Sequence, residues 1–292
     1  MEELIRAGEK SWYLDGPTKV GFYEREPGSV YLIDTGANKD AGKKMRKVLE
    51  GKGWTPKGIL LTHSHADHIG GGAYLQAQYG CKAFSDGIEA VACRATYLES
   101  TYLFGGFPYS ALRHRFLKAE PVAVSPFTDP DFPAEVQILP LPGHNFDMVG
   151  FLLPDGTAFI GDALNSAEGL EKYKIPFLFD LAACFETLEG LKTLDAALFV
   201  PAHAPVCTDL AALCDLNRDR YLLNCDMIVN ELAEPLSTAE LIRRLFTRFE
   251  IRFSAEQEVL IGFTARSYLS YLKDQDRVGT LLGNNEVLWV KK

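Results

Sequence analysis

The sequence predicts an α/β layered domain followed by a smaller helical module. Short segments rich in β-branched and aromatic residues alternate with helix-favouring segments over the first two hundred residues. From Thr208 onward, strand patterns give way to helix patterns. The length of 292 residues suits one large domain with an appendage. We therefore expect a larger domain at 1–207 and a C-terminal module at 208–292.

The larger domain is predicted from the spacing of apolar residues and turn residues. Its strands lie between turns rich in Gly, Pro and Asp, and they are Val20–Tyr23, Ser29–Asp34, Gly58–Leu61, Cys81–Ser85, Val136–Pro140, Gly150–Leu153, Ala158–Ile160 and Leu198–Pro201. Its helices are helix-favouring runs with start or stop signals, and they are Asp40–Gly51, Gly70–Tyr79 and Asp180–Leu194, the last with Asp180 as its N-cap.

The C-terminal module is predicted to contain three helices followed by a hairpin. The helices are Asp209–Leu232, Thr238–Phe249 and Ala255–Leu272. Ser237 and Ser254 each precede a Glu or Gln by three residues, which is the capping-box spacing that begins a helix. A Gly-Asn-Asn turn at 283–285 joins the last two strands, Val278–Leu282 and Glu286–Val290. This order is typical of a winged-helix module.

The charge balance argues against nucleic acid as a partner. The formal net charge is −9, so bulk electrostatic attraction to phosphate is absent. Arg243, Arg244 and Arg248 lie on the second C-terminal helix, but glutamates accompany them and no basic stripe is visible. We expect the module to be a structural cap or a dimerisation surface. A regulator that reads DNA through this module remains an alternative.

The remaining composition predicts a cytoplasmic protein without a membrane span. No stretch approaches about 20 uninterrupted apolar residues. The N-terminus, Met1 to Lys10, lacks the apolar core of a secretory signal. The six cysteines form no C-x-x-C pair, so we expect reduced thiols.

The most informative segment follows the strand Gly58–Leu61 and reads Thr-His-Ser-His-Ala-Asp-His. In an extended chain, His63 and His65 point to the same side. The chain then turns into a helix, so that Asp67 and His68 face a second point a few ångströms away. The glycines at 70–72 permit a close backbone approach at this turn.

Further candidate ligands follow later strands. His144, Asp162 and His203 each lie just after a predicted strand. Taken separately, His144 and His203 are ordinary loop residues, but in order with the first motif they favour a metal site. Imidazole and carboxylate together suit zinc, with iron or manganese as alternatives. Seven ligands exceed one tetrahedral ion, so two divalent ions are predicted, and a carboxylate such as Asp162 can bridge them.

These motifs resemble those of the metallo-β-lactamase superfamily of hydrolases, over about residues 10–207. The segment Ile33-Asp34-Thr35-Gly36 resembles its early strand-end signature. The resemblance implies an αββα sandwich with a dinuclear site at one edge between two sheets. It also implies that Asp34 orients a ligand without binding metal, and it assigns one ion to His63, His65 and His144, the other to Asp67, His68 and His203, with Asp162 bridging.

The resemblance further implies a hydrolase in which hydroxide shared by the two ions attacks an ester, thioester or lactone of a small molecule. Asp67 would orient the attacking water and carry its proton. The bridging Asp162 points to the glyoxalase II, RNase Z and lactonase-like branches. After His144 the loop reads Asn-Phe-Asp-Met, where many thioesterase-like members have Thr-Pro-Gly-Ser. Because of this departure, the resemblance does not by itself assign the glyoxalase II substrate to this chain. A phosphodiesterase or nuclease of the RNase Z kind remains an alternative.

An aromatic segment, Tyr97–Phe116, lies within residues 94–121 and precedes His144 in the sequence. It could form a lid over the site, or it could pack against the core or a second subunit of a homodimer; both interpretations remain open. His114 lies between two arginines, which predicts an exposed basic face or an anion contact.

Overall fold

The computed structural model describes residues 4–113, 117–283 and 285–292. Its strands in chain order are β1 Leu4–Arg6, β2 Ser11–Leu14, β3 Val20–Glu26, β4 Ser29–Ile33, β5 Thr55–Leu60, β6 Lys82–Phe84, β7 Val124–Ser125, β8 Gln137–Pro140, β9 Val149–Leu152, β10 Thr157–Phe159, β11 Leu198–Val200, β12 Leu236–Ser237, β13 Val278–Gly283 and β14 Glu286–Lys291. Its helices are α1 Lys39–Lys52, α2 Ala66–Ile69, α3 Gly72–Tyr79, α4 Gly87–Arg94, α5 Tyr97–Phe104, α6 Ala167–Tyr173, α7 Leu181–Thr193, α8 Ala211–Glu231, α9 Thr238–Arg248 and α10 Ala255–Asp274.

Two sheets face each other in the larger domain. The first has seven strands in the order β1-β2-β3-β4-β5-β6-β7, antiparallel from β1 to β4 and parallel from β4 to β7. The second has four strands in the order β11-β10-β9-β8. Between the sheets lies a core of large side chains, including Tyr31, Phe84, Phe151 and Phe159. Aromatic and β-branched residues favour strands because they fill such a half-buried, pleated surface.

Helices cover the outer faces of both sheets. Met45 and Leu49 of α1 and Leu75 of α3 pack on the outer face of the first sheet. The side chain of Asn38 caps α1 by accepting hydrogen bonds from two backbone N–H groups of its first turn. On the second sheet, Leu188 of α7 belongs to the outer core. The layers are therefore helix, sheet, sheet, helix, and the predicted α/β layered fold is confirmed.

The C-terminal helices share a core with the second sheet. Ile228 of α8 and Tyr268 of α10 belong to the same buried cluster as Phe199 of β11. The two predicted N-caps are confirmed, since Ser237 accepts a hydrogen bond from a backbone N–H of α9 and Ser254 from one of α10. Strands β12, β14 and β13 form a small third sheet. The helices and hairpin occur in the predicted order, and their assignment as a winged helix stays a prediction.

One predicted helix begins and divides differently in the structure. The prediction at Gly70–Tyr79 is wrong at its start, because α2 already begins at Ala66 and a break at 70–71 separates it from α3. The loop after β4 causes this break: the N–H and the hydroxyl of Thr35 both donate to the carbonyl of His68. A Cβ atom on Gly70 or Gly71 would collide with the backbone of this loop. The predicted close approach at these glycines is therefore confirmed.

Most other predicted boundaries differ by a residue or two, but β3 ends three residues later and β5 begins three residues earlier than predicted. The short elements β1, β2, β7, α4, α5, α6 and β12 carried too little pattern to be predicted. The prediction for His114 lies outside the described residues. All six cysteines are free. Within the described ranges, every helix is too short or too polar to cross a membrane.

Candidate metal centre

The seven candidate ligands meet at one edge of the sandwich. His63 and His65 follow β5, and their neighbours Asp67 and His68 belong to α2. His144 lies in the loop between β8 and β9, and Asp162 and His203 follow β10 and β11. The structure thus brings together residues that are up to 140 positions apart in the chain, and divides them into two adjoining groups, His63-His65-His144-Asp162 and Asp67-His68-His203.

In the first group, ring nitrogens converge on a common point. His65 Nδ1 lies 3.0 Å from His63 Nε2 and 3.1 Å from His144 Nε2. The Oδ2 atom of Asp162 lies 3.4 Å from His144 Nε2 and 4.0 Å from His63 Nε2. Three imidazole nitrogens and one carboxylate oxygen at these separations can hold one tetrahedral divalent cation.

The second group adjoins the first through the same carboxylate. The Oδ2 atom of Asp67 lies 3.2 Å from His203 Nε2 and 3.7 Å from His68 Nε2. Asp162 reaches this group with both oxygens: Oδ1 lies 3.0 Å from His68 Nε2, and Oδ2 lies 3.3 Å from His203 Nε2. Asp162 therefore stands between the two groups, which is the position of a bridging ligand.

Hydrogen bonds from behind orient two of the histidines. The N–H and hydroxyl of Thr62 each donate to Asp34 at 2.8 Å, which fixes that carboxylate at the end of β4. Asp34 Oδ2 lies 2.8 Å from His68 Nδ1, so His68 donates through Nδ1 and leaves its Nε2 facing Asp162. Likewise, His203 Nδ1 donates to the carbonyl of Pro17 at 2.7 Å. Such contacts select the tautomer that a metal ion requires.

Two buried polar atoms of the site lie 3.0 Å apart but make no hydrogen bond of good geometry. They are His68 Nε2 and Asp162 Oδ1. A buried nitrogen or carboxylate oxygen that makes no hydrogen bond lowers the stability of the fold unless a bound ligand supplies the missing contact. Both atoms face the junction of the two groups, so the donor set fits a pair of divalent cations.

The electrostatic environment separates the histidines into two kinds. Burial lowers the pKa of His63 well below its ordinary value, lowers that of His65 to about 3, and lowers that of His144. The neighbouring Asp162 raises the pKa of His203 to about 10. Burial alone would lower the pKa of His68, but Asp162, Asp67 and Asp34 raise it well above its ordinary value.

The carboxyl groups of Asp67 and Asp162 remain charged. Burial alone would raise the pKa of each group. For Asp67, the charges of His68 and His203 lower the pKa below its ordinary value despite this burial. The same two histidines lower the pKa of Asp162 well below its ordinary value. The first group therefore offers neutral imidazoles, and the second holds protonated histidines beside carboxylates.

We predict that loading the ion-free chain with Zn²⁺ at pH 7 to 8 releases about two protons from the protein, because His68 and His203 must lose theirs to bind through Nε2. Both pKa values are raised, so both imidazoles are protonated at this pH, and the apparent affinity should rise about tenfold per pH unit for each proton released. Calorimetry in two buffers of different ionisation enthalpy measures the release. His203→Gln should release one proton fewer, and loading without proton release would contradict the prediction.

A cavity of about 620 Å³ opens onto the site. Asp67, Asp162, His144 and His203 are among the residues that line it. Its walls come from α6 and from α10 of the C-terminal module, through Lys172, Tyr173, Gln257, Leu260, Ile261 and Thr264. The C-terminal helices thus form part of the cavity wall.

An aromatic cluster borders the first group of candidate ligands. The ring of Phe177 lies 5.2 Å from His65 and stacks on Phe263 of α10 at 5.3 Å. Tyr102 of α5 contacts both Phe263 and Phe146, at 5.3 Å each. Residues of the aromatic segment therefore border the first group and also pack against α10. The sequence predicted the aromatic segment Tyr97–Phe116, which contains Tyr102, but not the roles of Phe177 and Phe263, because nothing local distinguishes those two from core aromatics.

A family profile of the metallo-β-lactamase superfamily matches residues 14–203. This segment covers more than half of the chain and contains all seven candidate ligands. The chain therefore belongs to the metallo-β-lactamase superfamily, as the sequence motifs predicted.

Individual relatives agree with this family. A hydroxyacylglutathione hydrolase of Haemophilus ducreyi is 32% identical over 153 residues, which is 52% of this chain and 53% of that protein. The chain thus spans about half the length of this curated relative. A metallo-β-lactamase family protein of Thermus thermophilus has a TM-score of 0.72 at 19% identity, covering 97% of this chain and 99% of that one. A β-lactamase domain protein of Burkholderia ambifaria has a TM-score of 0.75 at 15% identity, covering 99% and 94%.

Proposed function

We propose that this chain is a metal-dependent hydrolase that cleaves an ester, thioester or lactone of a small molecule. It would use two divalent ions, preferably zinc. The ligands of these ions would be His63, His65, Asp67, His68, His144, Asp162 and His203. The observation that carries the proposal is the position of Asp162, whose oxygens lie within 3.0 to 3.4 Å of imidazole nitrogens from both groups. Thioester cleavage is preferred among the three because hydroxyacylglutathione hydrolases are among the similar proteins.

The residues of the chain divide the work of this reaction. Two bound ions would supply Lewis acidity and lower the pKa of a coordinated water to about 7. Asp67 lines the cavity, and Thr18 Oγ1 donates a hydrogen bond to its Oδ2 at 2.9 Å. This hydrogen bond holds the carboxylate in place to orient water and to accept its proton. Asp34 and the carbonyl of Pro17 keep His68 and His203 in the required tautomers.

The cavity suits a partly apolar small molecule. Phe177, Leu260 and Ile261 offer apolar surface, while Lys172 and Gln257 offer polar groups. A volume of about 620 Å³ is within the usual range for small-molecule sites. The substrate would lie between α6 and α10 with its scissile bond at the candidate ions.

The surface charges of the C-terminal module also favour a small-molecule substrate over nucleic acid. Arg243 and Arg244 form ion pairs with Glu240, and Arg244 and Arg248 lie within 4 Å of Glu231. Arginines already paired in this way offer less attraction for phosphate. The division into 1–207 and 208–292, a cytoplasmic location and a homodimer remain predictions.

The test of this proposal is a substrate panel on chain loaded with Zn²⁺. The probes are a hydroxyacylglutathione thioester, a p-nitrophenyl ester, an aliphatic lactone and bis(p-nitrophenyl) phosphate. We expect chelator-sensitive hydrolysis of a carbonyl substrate, and Asp67→Asn should lower kcat by about 10²- to 10⁴-fold, the usual contribution of an acid–base group.

The matched control is Asp15→Asn, since Asp15 is a mostly exposed aspartate that forms an ion pair with Lys19 at 3.6 Å. It should leave kcat unchanged. Hydrolysis of the phosphodiester alone, or turnover that survives chelation, would contradict the proposed function.

A further inference from the structure

Glu89 is a buried carboxylate that the proposed chemistry does not use. It lies on α4, and only 2% of its surface is exposed. Within 4–113, 117–283 and 285–292, no Lys or Arg forms an ion pair with it. Burial raises the pKa of Glu89, although hydrogen bonds from Ser64 and Asp147 oppose this effect. A carboxylate in such a position is tolerated only where donors satisfy its oxygens.

The donors that satisfy Glu89 come from the two loops that carry the three histidines of the first group. The backbone N–H of Ser64 donates to Oε2 at 2.9 Å, and the side-chain amide of Asn145 donates to the same oxygen at 3.1 Å. The backbone N–H of Asp147 donates to Oε1 at 3.2 Å. Ser64 lies between His63 and His65, and Asn145 directly follows His144.

A return contact fixes α4 to the same loop. The carboxylate of Asp147 accepts a hydrogen bond from the N–H of Ile88, in the first turn of α4, at 2.8 Å. Gly87 permits this approach, because its φ of 59° is left-handed and a Cβ atom there would collide with the Asp147 carboxylate. Hydrogen bonds in both directions therefore join α4 to the loop of His144, while Glu89 also binds the loop of His63 and His65. Glu89 cannot move with one of these loops without moving the other.

We propose that Glu89 is a positioning residue that sets the separation of His63 and His65 from His144, and thereby the affinity of the first candidate ion site. This inference rests on the proposed function only in requiring that the site binds an ion. Three donors meet two carboxylate oxygens, so a glutamine would turn an N–H toward at least one of them. Two N–H groups that face each other repel, so this contact would push the two ligand loops apart.

The test is Co²⁺ titration of the ion-free full chain, followed by its visible absorption, with Glu89→Gln compared with the unaltered chain. We expect two classes of Co²⁺ site in the unaltered chain. In Glu89→Gln, one class should weaken by about 10- to 100-fold, the usual effect of removing a group that supports a metal ligand. The other class should be unchanged, because the hydrogen bonds described for Glu89 come from Ser64, Asn145 and Asp147 and none from Asp67, His68 or His203.

Two further variants keep the comparison decisive. Asp86→Asn is the matched control, since Asp86 precedes the same helix but its carboxylate accepts from the N–H of Phe127; it should leave both classes unchanged. Asn145→Ala removes one of the three donors and should weaken the same class by a smaller factor, even if Glu89→Gln fails to fold.

Equal weakening of both classes by Glu89→Gln and Asn145→Ala, or no weakening by either, would overturn the role of Glu89. If the chain binds Co²⁺ at two classes of site but hydrolyses no substrate, the proposed function is contradicted. The Co²⁺ affinities of the variants would still decide the role of Glu89. A chain that binds no Co²⁺ would overturn both.

Discussion

Replacing Asp162 by alanine is expected to reduce the metal content from about two ions per chain to one or fewer, since a single carboxylate serves both groups. Its oxygens lie 3.0 Å from His68 Nε2, 3.3 Å from His203 Nε2 and 3.4 Å from His144 Nε2. Turnover should fall by about 10³-fold or more, because loss of even one group that stabilises the transition state costs about 10²- to 10³-fold. Elemental analysis and steady-state kinetics measure the two effects.

Asp155 supplies a matched control for this substitution. It lies in the turn before β10, as Asp162 lies after it, and its carboxylate accepts hydrogen bonds from the N–H of Lys10 and the hydroxyl of Ser11. Asp155→Ala should lower the thermal stability but keep both ions. If Asp162→Ala retains two ions at unaltered affinity, Asp162 does not bridge, and the proposed dinuclear site is wrong.

The candidate site was largely predictable because its ligands lie at sequence positions with strong local signals. His63, His65, Asp67 and His68 form one compact motif, and each later ligand follows a short apolar strand. Strand ends meet at one edge of a layered sandwich, so a correct sheet pattern already predicts that such side chains lie close together. The role of Asp34 followed from resemblance alone, and the structure shows its contact with His68 directly.

The supporting residues were not predictable for a physical reason. Glu89 touches Ser64 and Asn145, which lie 25 and 56 residues away, and no pattern around α4 distinguishes it from an ordinary exposed glutamate. Phe263 reaches the site from α10, more than 100 positions after His144. Local periodicity predicts which face of an element is buried, but it carries no information about which distant loop meets that face.

A chain shortened to residues 1–207 is expected to be insoluble or to lack a cooperative unfolding transition. The outer face of the second sheet and α7 share one buried cluster with α8, α9 and α10. Within it, Leu188 and Leu191 of α7 accompany Ile228, Tyr268 and Leu269 of the C-terminal helices. Exposing a buried side chain of this kind costs about 1.5 to 3 kcal/mol. Several such exposures exceed the free energy of unfolding of a typical domain, about 5 to 15 kcal/mol.

Solubility on expression and a thermal melt followed by circular dichroism decide this prediction. Leu282→Ser in the full chain is the control, since that side chain is 83% exposed in β13 and its replacement should leave the melt unchanged. A soluble 1–207 chain with a cooperative melt would mean that α7 and the second sheet form a stable core without the C-terminal helices. The module would then be a removable appendage whose contribution is confined to the cavity wall, through Gln257, Leu260 and Ile261.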